Sequence, residues 1–180
     1  MEKKDLLKDV IKHIDIKSYN STELVDAMRN MSFTSRDTAR AADILMMMCK
    51  EKECTNILTL AGSTSAAGCM QVYVDMVRNK MIDVVVATGA SIIDMDLFEA
   101  LGFKHYIGEK ENVIPDTTLR DLYIDRIYDT YIDEEELQAC DHTTFEIANM
   151  LEARPYSSRE FIYEIGKWLH EGNAVKKDSL

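Results

Sequence analysis

Apolar residues recur at helical spacing through Leu6, Leu7, Val10, Ile11 and Ile14, which predicts an amphipathic helix near the start of the chain. Ser21-Thr22-Glu23 then offers a capping side chain and a first-turn acid ahead of a helix over Leu24 to Met31. The polar break Ser32 to Asp37 follows, and Ser35 can cap a third helix through Ala39, Ala42, Leu45 and Met48, whose methionines suit gap-filling packing. The pattern next changes period. Thr55 to Leu60 is a short β-rich run, Ala61 to Gly68 is a loop of small residues, and Cys69 to Lys80 returns to helical spacing with Val72, Met76 and Val77 on one face. Ile82 to Ala87 is apolar without interruption after Asp83, the pattern of a strand covered on both faces of a parallel sheet. Strand, loop, helix and strand in that order predict a βαβ unit.

A second small-residue turn, Thr88-Gly-Ala-Ser91, leads into a helix over Asp94 to Leu101. Phe103 to Asp121 is polar and irregular, and Ile124 to Glu136, with Tyr128, Tyr131 and the acids Asp133 to Glu136, predicts the opening of another helix. Pro155-Tyr-Ser-Ser-Arg-Glu160 is a helix entry whose serine and glutamate can satisfy the first free amides. That helix carries Phe161, Ile162, Ile165, Trp168 and Leu169 and stops near Gly172, and Asp178-Ser-Leu180 reads as the approach to a further element.

Composition narrows the partners. The 180 residues suit one domain, and 32 acidic against 21 basic residues give a net charge of −11, which excludes the basic footprint of a nucleic-acid binder and favours cationic ligands or basic partners. No run approaches the roughly 20 apolar residues of a membrane span, and the first residues lack a signal-peptide core, so the expected compartment is the cytoplasm. Cys49, Cys54, Cys69 and Cys140 form no C-x-x-C pair and have no histidine at ligand spacing, so all four read as structural thiols and no metal is expected. His13, His105, His142 and His170 are scattered and read as surface residues, and the acids around Glu135 and Glu136 read as a solvated face. No Ser-His-Asp arrangement is present.

The loop from Gly62 to Gly68 is the leading candidate site. Its small side chains let backbone approach a ligand, and the helix after it presents unpaired amides that bind phosphate readily. Its spacing matches neither G-x-G-x-x-G nor a P-loop, and the alternative is a tight connection that helix–sheet packing alone requires. The turn Thr88-Gly89-Ala90-Ser91 strengthens the ligand reading, because ligands of open α/β sheets bind beyond the carboxyl ends of strands. Asp94 and Asp96 can accept hydrogen bonds from ribose hydroxyls or can equally charge the first turn of a helix.

As an ordered set, several segments resemble the deoxyhypusine synthase family. They are Leu24-Val-Asp-Ala-Met-Arg-Asn-Met-Ser-Phe33, Leu58-Thr-Leu-Ala-Gly-Ser-Thr-Ser-Ala-Ala-Gly68, Met81 to Ala90, Asp96 to Gly102 and Tyr106-Ile-Gly108. Arg154 to Ile162 and Ile165-Gly-Lys167 are similar to a later helix of its bacterial and archaeal branches, so the likeness runs over about residues 14–180. The resemblance implies an α/β, Rossmann-like parallel sheet flanked by helices and incomplete beside the full family domain, with residues 1–20 as an N-terminal helix or arm and 21–180 as a partial NAD-binding domain. It implies an NAD-dependent aminoalkyl transfer in which spermidine is oxidised to an imine. A lysine then captures the aminobutyl group as a Schiff base and passes it to a lysine of a hypusine-containing translation factor or to another amine. It also implies tetramers with cofactor sites at subunit interfaces.

By position, Ala61, Gly62 and Ser63 match the family's first cofactor loop, Thr88, Gly89 and Ala90 its second, and Asp94 and Asp96 its acidic segment, where Met95 separates acids that are consecutive in eukaryotic members. The family's catalytic lysine and polyamine-binding acids match nothing here, so no catalytic residue is assigned. The expectation is a subunit or fragment that contributes part of an NAD site and needs a second chain or a C-terminal half. The alternative is a non-catalytic regulatory or structural subunit that pairs with an intact homologue.

Overall fold

The computed structural model describes residues 1–108 and 113–176. Residues 109–112 of the irregular Phe103–Asp121 stretch, and the expected approach at Asp178 to Leu180, lie outside the described residues. The chain divides into two compact units, one of Met1–Ile14, Leu60–Val74 and Ala87–Leu180, the other of Asp15–Thr59 and Asp75–Val86.

The smaller unit opens with α2 (Thr22–Met28) and α3 (Phe33–Lys50), after the short α1 (Lys3–Leu6) of the larger one. An ion pair between Arg29 and Asp43 ties α2 to α3. The strands β1 (Ile57–Leu60) and β2 (Val84–Ala87) form a two-stranded parallel sheet. Asn56 fixes its start: its backbone amide donates to the Asp83 carboxylate at 2.8 Å and its side-chain amide donates to the Met81 carbonyl at 3.0 Å. Between the strands run a helical turn at Ser65–Cys69 and α4 (Met70–Arg78). The strand–loop–helix–strand order therefore stands as the hydrophobic pattern predicts it. The double-sided burial of β2 does not, since Val84 and Val86 are 41% and 55% exposed. The apolar run reports what the strand is built to be covered by, and the described residues do not supply that cover.

The larger unit holds the core. A helical stretch over residues 89–100, here α5, buries Leu97, Phe98 and Ala100 against Ile132, Cys140, Ile147, Ile165 and Leu169. Ile132 lies in a three-stranded antiparallel sheet of β3 (His105–Ile107), β4 (Ile124–Ile127) and β5 (Thr130–Asp133), ordered β3-β5-β4. A second cluster packs Leu6, Leu119, Ile124 and Tyr131, with Leu119 on α6 (Asp116–Asp121). The helix expected to open within Ile124 to Glu136 is thus a hairpin, and α7 (Glu134–Met150) begins only after the Asp133 side chain accepts the amides of Glu135 and Glu136. The run Leu6 to Ile14 is likewise not one helix: α1 ends at Leu6, and Val10 makes an antiparallel bridge to Tyr106. The last helix, α8 (Ser158–Trp168), starts as expected, with Ser157 and Glu160 exchanging hydrogen bonds in a capping box.

The hairpin turn is Tyr128-Asp129, with Tyr128 93% exposed at φ +57°. A tyrosine in the left-handed region costs about 1 kcal/mol that asparagine largely avoids. Tyr128→Asn is therefore expected to raise stability by up to about 1 kcal/mol, read as an increase of roughly 2–4 °C in Tm.

Gly68 carries a different constraint. It sits at φ +95°, its carbonyl accepts the Ile14 amide at 3.0 Å, and a Cβ there would lie 3.0 Å from the Lys12 carbonyl oxygen. Gly68→Ala forces backbone apart and strains φ, so a loss of roughly 2 kcal/mol in chemical unfolding is expected.

Candidate functional site

Both small-residue turns lie in the larger unit, each directly after one of the two parallel strands. Ala61 and Gly62 are exposed and Ser63 is half-buried, while Thr88, Gly89 and Ala90 are all exposed. The Ser91 hydroxyl, itself buried, lies 3.5 Å from the Gly62 carbonyl and brings the two turns together. A Cβ built at Gly62 or at Gly89 would meet nothing within 4 Å, so the backbone faces open space at both. Gly62 also sits at φ +73°, which only a glycine adopts without strain. Packing requires Gly68 and not Gly62, so the loop divides into an anchored end and an open end.

Helices begin at both turns. Each leaves its first amides without an intrahelical acceptor, because helix geometry supplies acceptors only from the fourth residue onward. Thr64 is held by the Tyr73 hydroxyl at 2.8 Å, which fixes the loop's entry to the helix. Ser65 is 1% exposed and its hydroxyl lacks a hydrogen-bond partner among the described residues. Sequence reasoning passed over this residue because its neighbours Ala66 and Ala67 make it look like filler.

The two acids diverge. Asp96 is buried at 5% exposure, and Asp94 is half-buried on the side of α7. Burial, and then the Asp141 carboxylate beside it, push the Asp94 carboxyl above its ordinary range. The same helix pair holds Cys140, whose thiol is pushed up to about 12 by burial and by the Asp141 and Asp94 carboxylates. A thiol so protonated is chemically quiet, as the structural reading of the cysteines expects. Cys49, by contrast, is exposed and not packed as its apolar run suggests.

The histidines correct the sequence reading most. His105 has a fully buried side chain and His13 a 12% exposed one, and both converge on Glu99. The imidazole Nε2 of His13 lies 2.6 Å and 2.8 Å from the two Glu99 oxygens, Nδ1 of His105 lies 2.9 Å from Oε1, and the Lys176 ammonium donates to Oε2 at 2.7 Å. Burial pushes the Glu99 carboxyl up, but hydrogen bonds from His105, His13 and Lys176 outweigh it and hold the group well below the usual carboxylate range. With an ionised acceptor between them, each imidazole donates the proton facing Glu99. The cluster ties the N-terminal segment, α5, β3 and the segment after α8 into one unit. Its one sequence signal is a glutamate inside the apolar stretch Leu97-Phe-Glu-Ala-Leu101, where a buried charge demands partners.

Among the described residues no group of three or more His, Cys, Asp or Glu side chains could hold a metal ion, and no helix is long and apolar enough to cross a membrane.

Residues 23–180 match the model of the deoxyhypusine synthase family. A deoxyhypusine synthase-like protein of Caulobacter vibrioides is 66% identical over 99% of this chain and 48% of its own length. A deoxyhypusine synthase-like protein of Coxiella burnetii is 59% identical over 99% of this chain and 50% of its own. A probable deoxyhypusine synthase of Methanosarcina acetivorans is 36% identical over 93% of this chain and 47% of its own. The chain spans about half the length of the curated relatives it matches.

Proposed function

The chain belongs to the deoxyhypusine synthase family, and from that premise we propose that it supplies part of an NAD site for transfer of an aminobutyl group from spermidine to a lysine or other amine. Catalysis in this reading needs the half of the protein that the relatives have and this chain does not cover, delivered by a second chain or as a continuation. The assembly is an oligomer working in the cytoplasm.

The observation that carries the reading is the pair of open turns, Ala61–Ser63 and Thr88–Ala90, at the ends of adjacent parallel strands and joined by Ser91. These residues fit a dinucleotide. No side chain blocks the backbone at Gly62 or Gly89, and a helix begins just after each turn, leaving its first amides without intrahelical acceptors. A dinucleotide held by Ala61–Ser63 and Thr88–Ala90 would supply the hydride acceptor for oxidation of the polyamine. The chain's own contribution would be to hold the pyrophosphate on backbone amides and to orient it through the hydroxyls of Ser63 and Thr88; of the two acids, Asp96 is buried and Asp94, half-buried beside Asp141, is the one left to face a ribose hydroxyl. The net charge of −11 favours a polyamine over an anionic substrate.

Equilibrium dialysis of NAD and NADP against the chain, alone and together with a full-length homologue, tests the reading. NAD retained in the mixed assembly, and weakened by Ser63→Ala with Thr88→Ala, supports it. Transfer activity in the mixture that survives both substitutions points instead to a non-catalytic subunit paired with an intact enzyme, and no dinucleotide binding in either setting removes the cofactor role.

A further inference from the structure

The smaller unit leaves its apolar side chains uncovered. Among its described residues the one apolar side chain that is buried is Ala39. The Asn56 carbonyl accepts the Val84 amide at 3.2 Å, which in a parallel ladder sets Ile57 opposite Val84. Ile57, Val84 and Val86 therefore share one face of the pair, and all three are exposed, Ile57 at 56%. On α3, Ile44 and Met47 stand about one turn apart and are exposed as well, while Ala39 lies on another side of the helix. A helix apolar on more than one side is built to be covered on more than one side. Parallel sheets occur with both faces covered, and a two-stranded sheet alone is marginal in water.

We propose that this open face is the docking surface for the second polypeptide half by which the curated relatives exceed this chain, laid down as a helix whose apolar stripe covers Ile57, Val84 and Val86. The inference rests on the reading that a second half completes the protein, and adds where it binds. The relatives supply the occupant: they carry this sequence at 59–66% identity within chains about twice as long, so the same strands are accompanied there by as much polypeptide again. Charge disfavours a second copy, since each chain brings −11 to any self-association.

The test places a thiol on the face with Val86→Cys, in the 180-residue chain and in one polypeptide joining it to the second half of the Caulobacter relative, and follows labelling at that position by peptide mass spectrometry. In the 180-residue chain labelling should proceed at nearly the rate of a free thiol, and in the joined protein at least a hundredfold slower. Equal rates overturn the proposal, and so does protection that appears in the short chain as its concentration rises, which would seat a second copy there. Val86→Lys should lower Tm in the joined protein and leave the short chain unchanged; an equal effect in both overturns the proposal. Protection without NAD binding would remove the functional reading and leave the docking face, whereas NAD binding with an unprotected position 86 would do the reverse.

Discussion

Replacing Glu99 by alanine is expected to destabilise the protein by about 3–5 kcal/mol, the cost of breaking a buried ion pair by removing one partner. Glu99 is 9% exposed, and its removal leaves two half-buried or buried imidazoles and the Lys176 ammonium without their shared acceptor. For a chain of this size the loss is read as a fall in Tm of roughly 10 °C or more. The pH dependence separates this from a simple cavity. A carboxyl held below its ordinary range contributes stability that is fully present above the unfolded value of about 4.3 and fades as pH falls towards the folded one. The wild-type advantage over Glu99→Gln should therefore shrink as pH falls below about 4. An advantage that does not diminish as pH falls below about 4 would contradict the ionised, hydrogen-bonded Glu99.

The second large effect is expected at Gly89. A Cβ there meets nothing within 4 Å and the residue is not in the left-handed region, so Gly89→Asp should leave the fold intact. It places a carboxylate where the proposed pyrophosphate would sit, and like charges a few ångströms apart near a surface repel by about 1–4 kcal/mol. NAD affinity of the completed protein should fall at least tenfold, with unchanged Tm in the absence of cofactor. Unchanged affinity would move the cofactor away from this turn.

Much of this molecule is legible in its residues, and the parts that are not have physical reasons. The helix over Ser158–Trp168 follows from periodicity and a cap, because local hydrogen bonds decide where a helix starts. Phe33–Lys50 follows from periodicity alone: it starts two residues ahead of the expected cap Ser35, and Ser32 at its N-cap makes no side-chain cap bond. The two parallel strands follow from apolar runs between small-residue loops. The hairpin of β4 and β5 hides because its turn is Tyr128-Asp129, while two-residue hairpins are usually announced by Asn-Gly or Asp-Gly. Sequence pattern cannot show that tertiary pairing holds a tyrosine at φ +57°. Val10 fails as a helical residue for a similar reason, since its bridge to Tyr106 outweighs local spacing. The Glu99 cluster joins residues from position 13 to position 176, a convergence that no local pattern encodes. At the candidate site both turns were visible as small-residue loops. That Gly68 serves packing, Gly62 lies open and Ser65 is orphaned depended on the backbone path.

Hydrogen–deuterium exchange on the joined, full-length protein with and without saturating NAD addresses the central claim most directly. Amides in residues 62–66 and 89–92 should exchange at least tenfold more slowly with the dinucleotide bound, while the hairpin at Tyr128-Asp129 stays unchanged. Saturation with NAD that leaves both turns exchanging at their unbound rates would contradict the account.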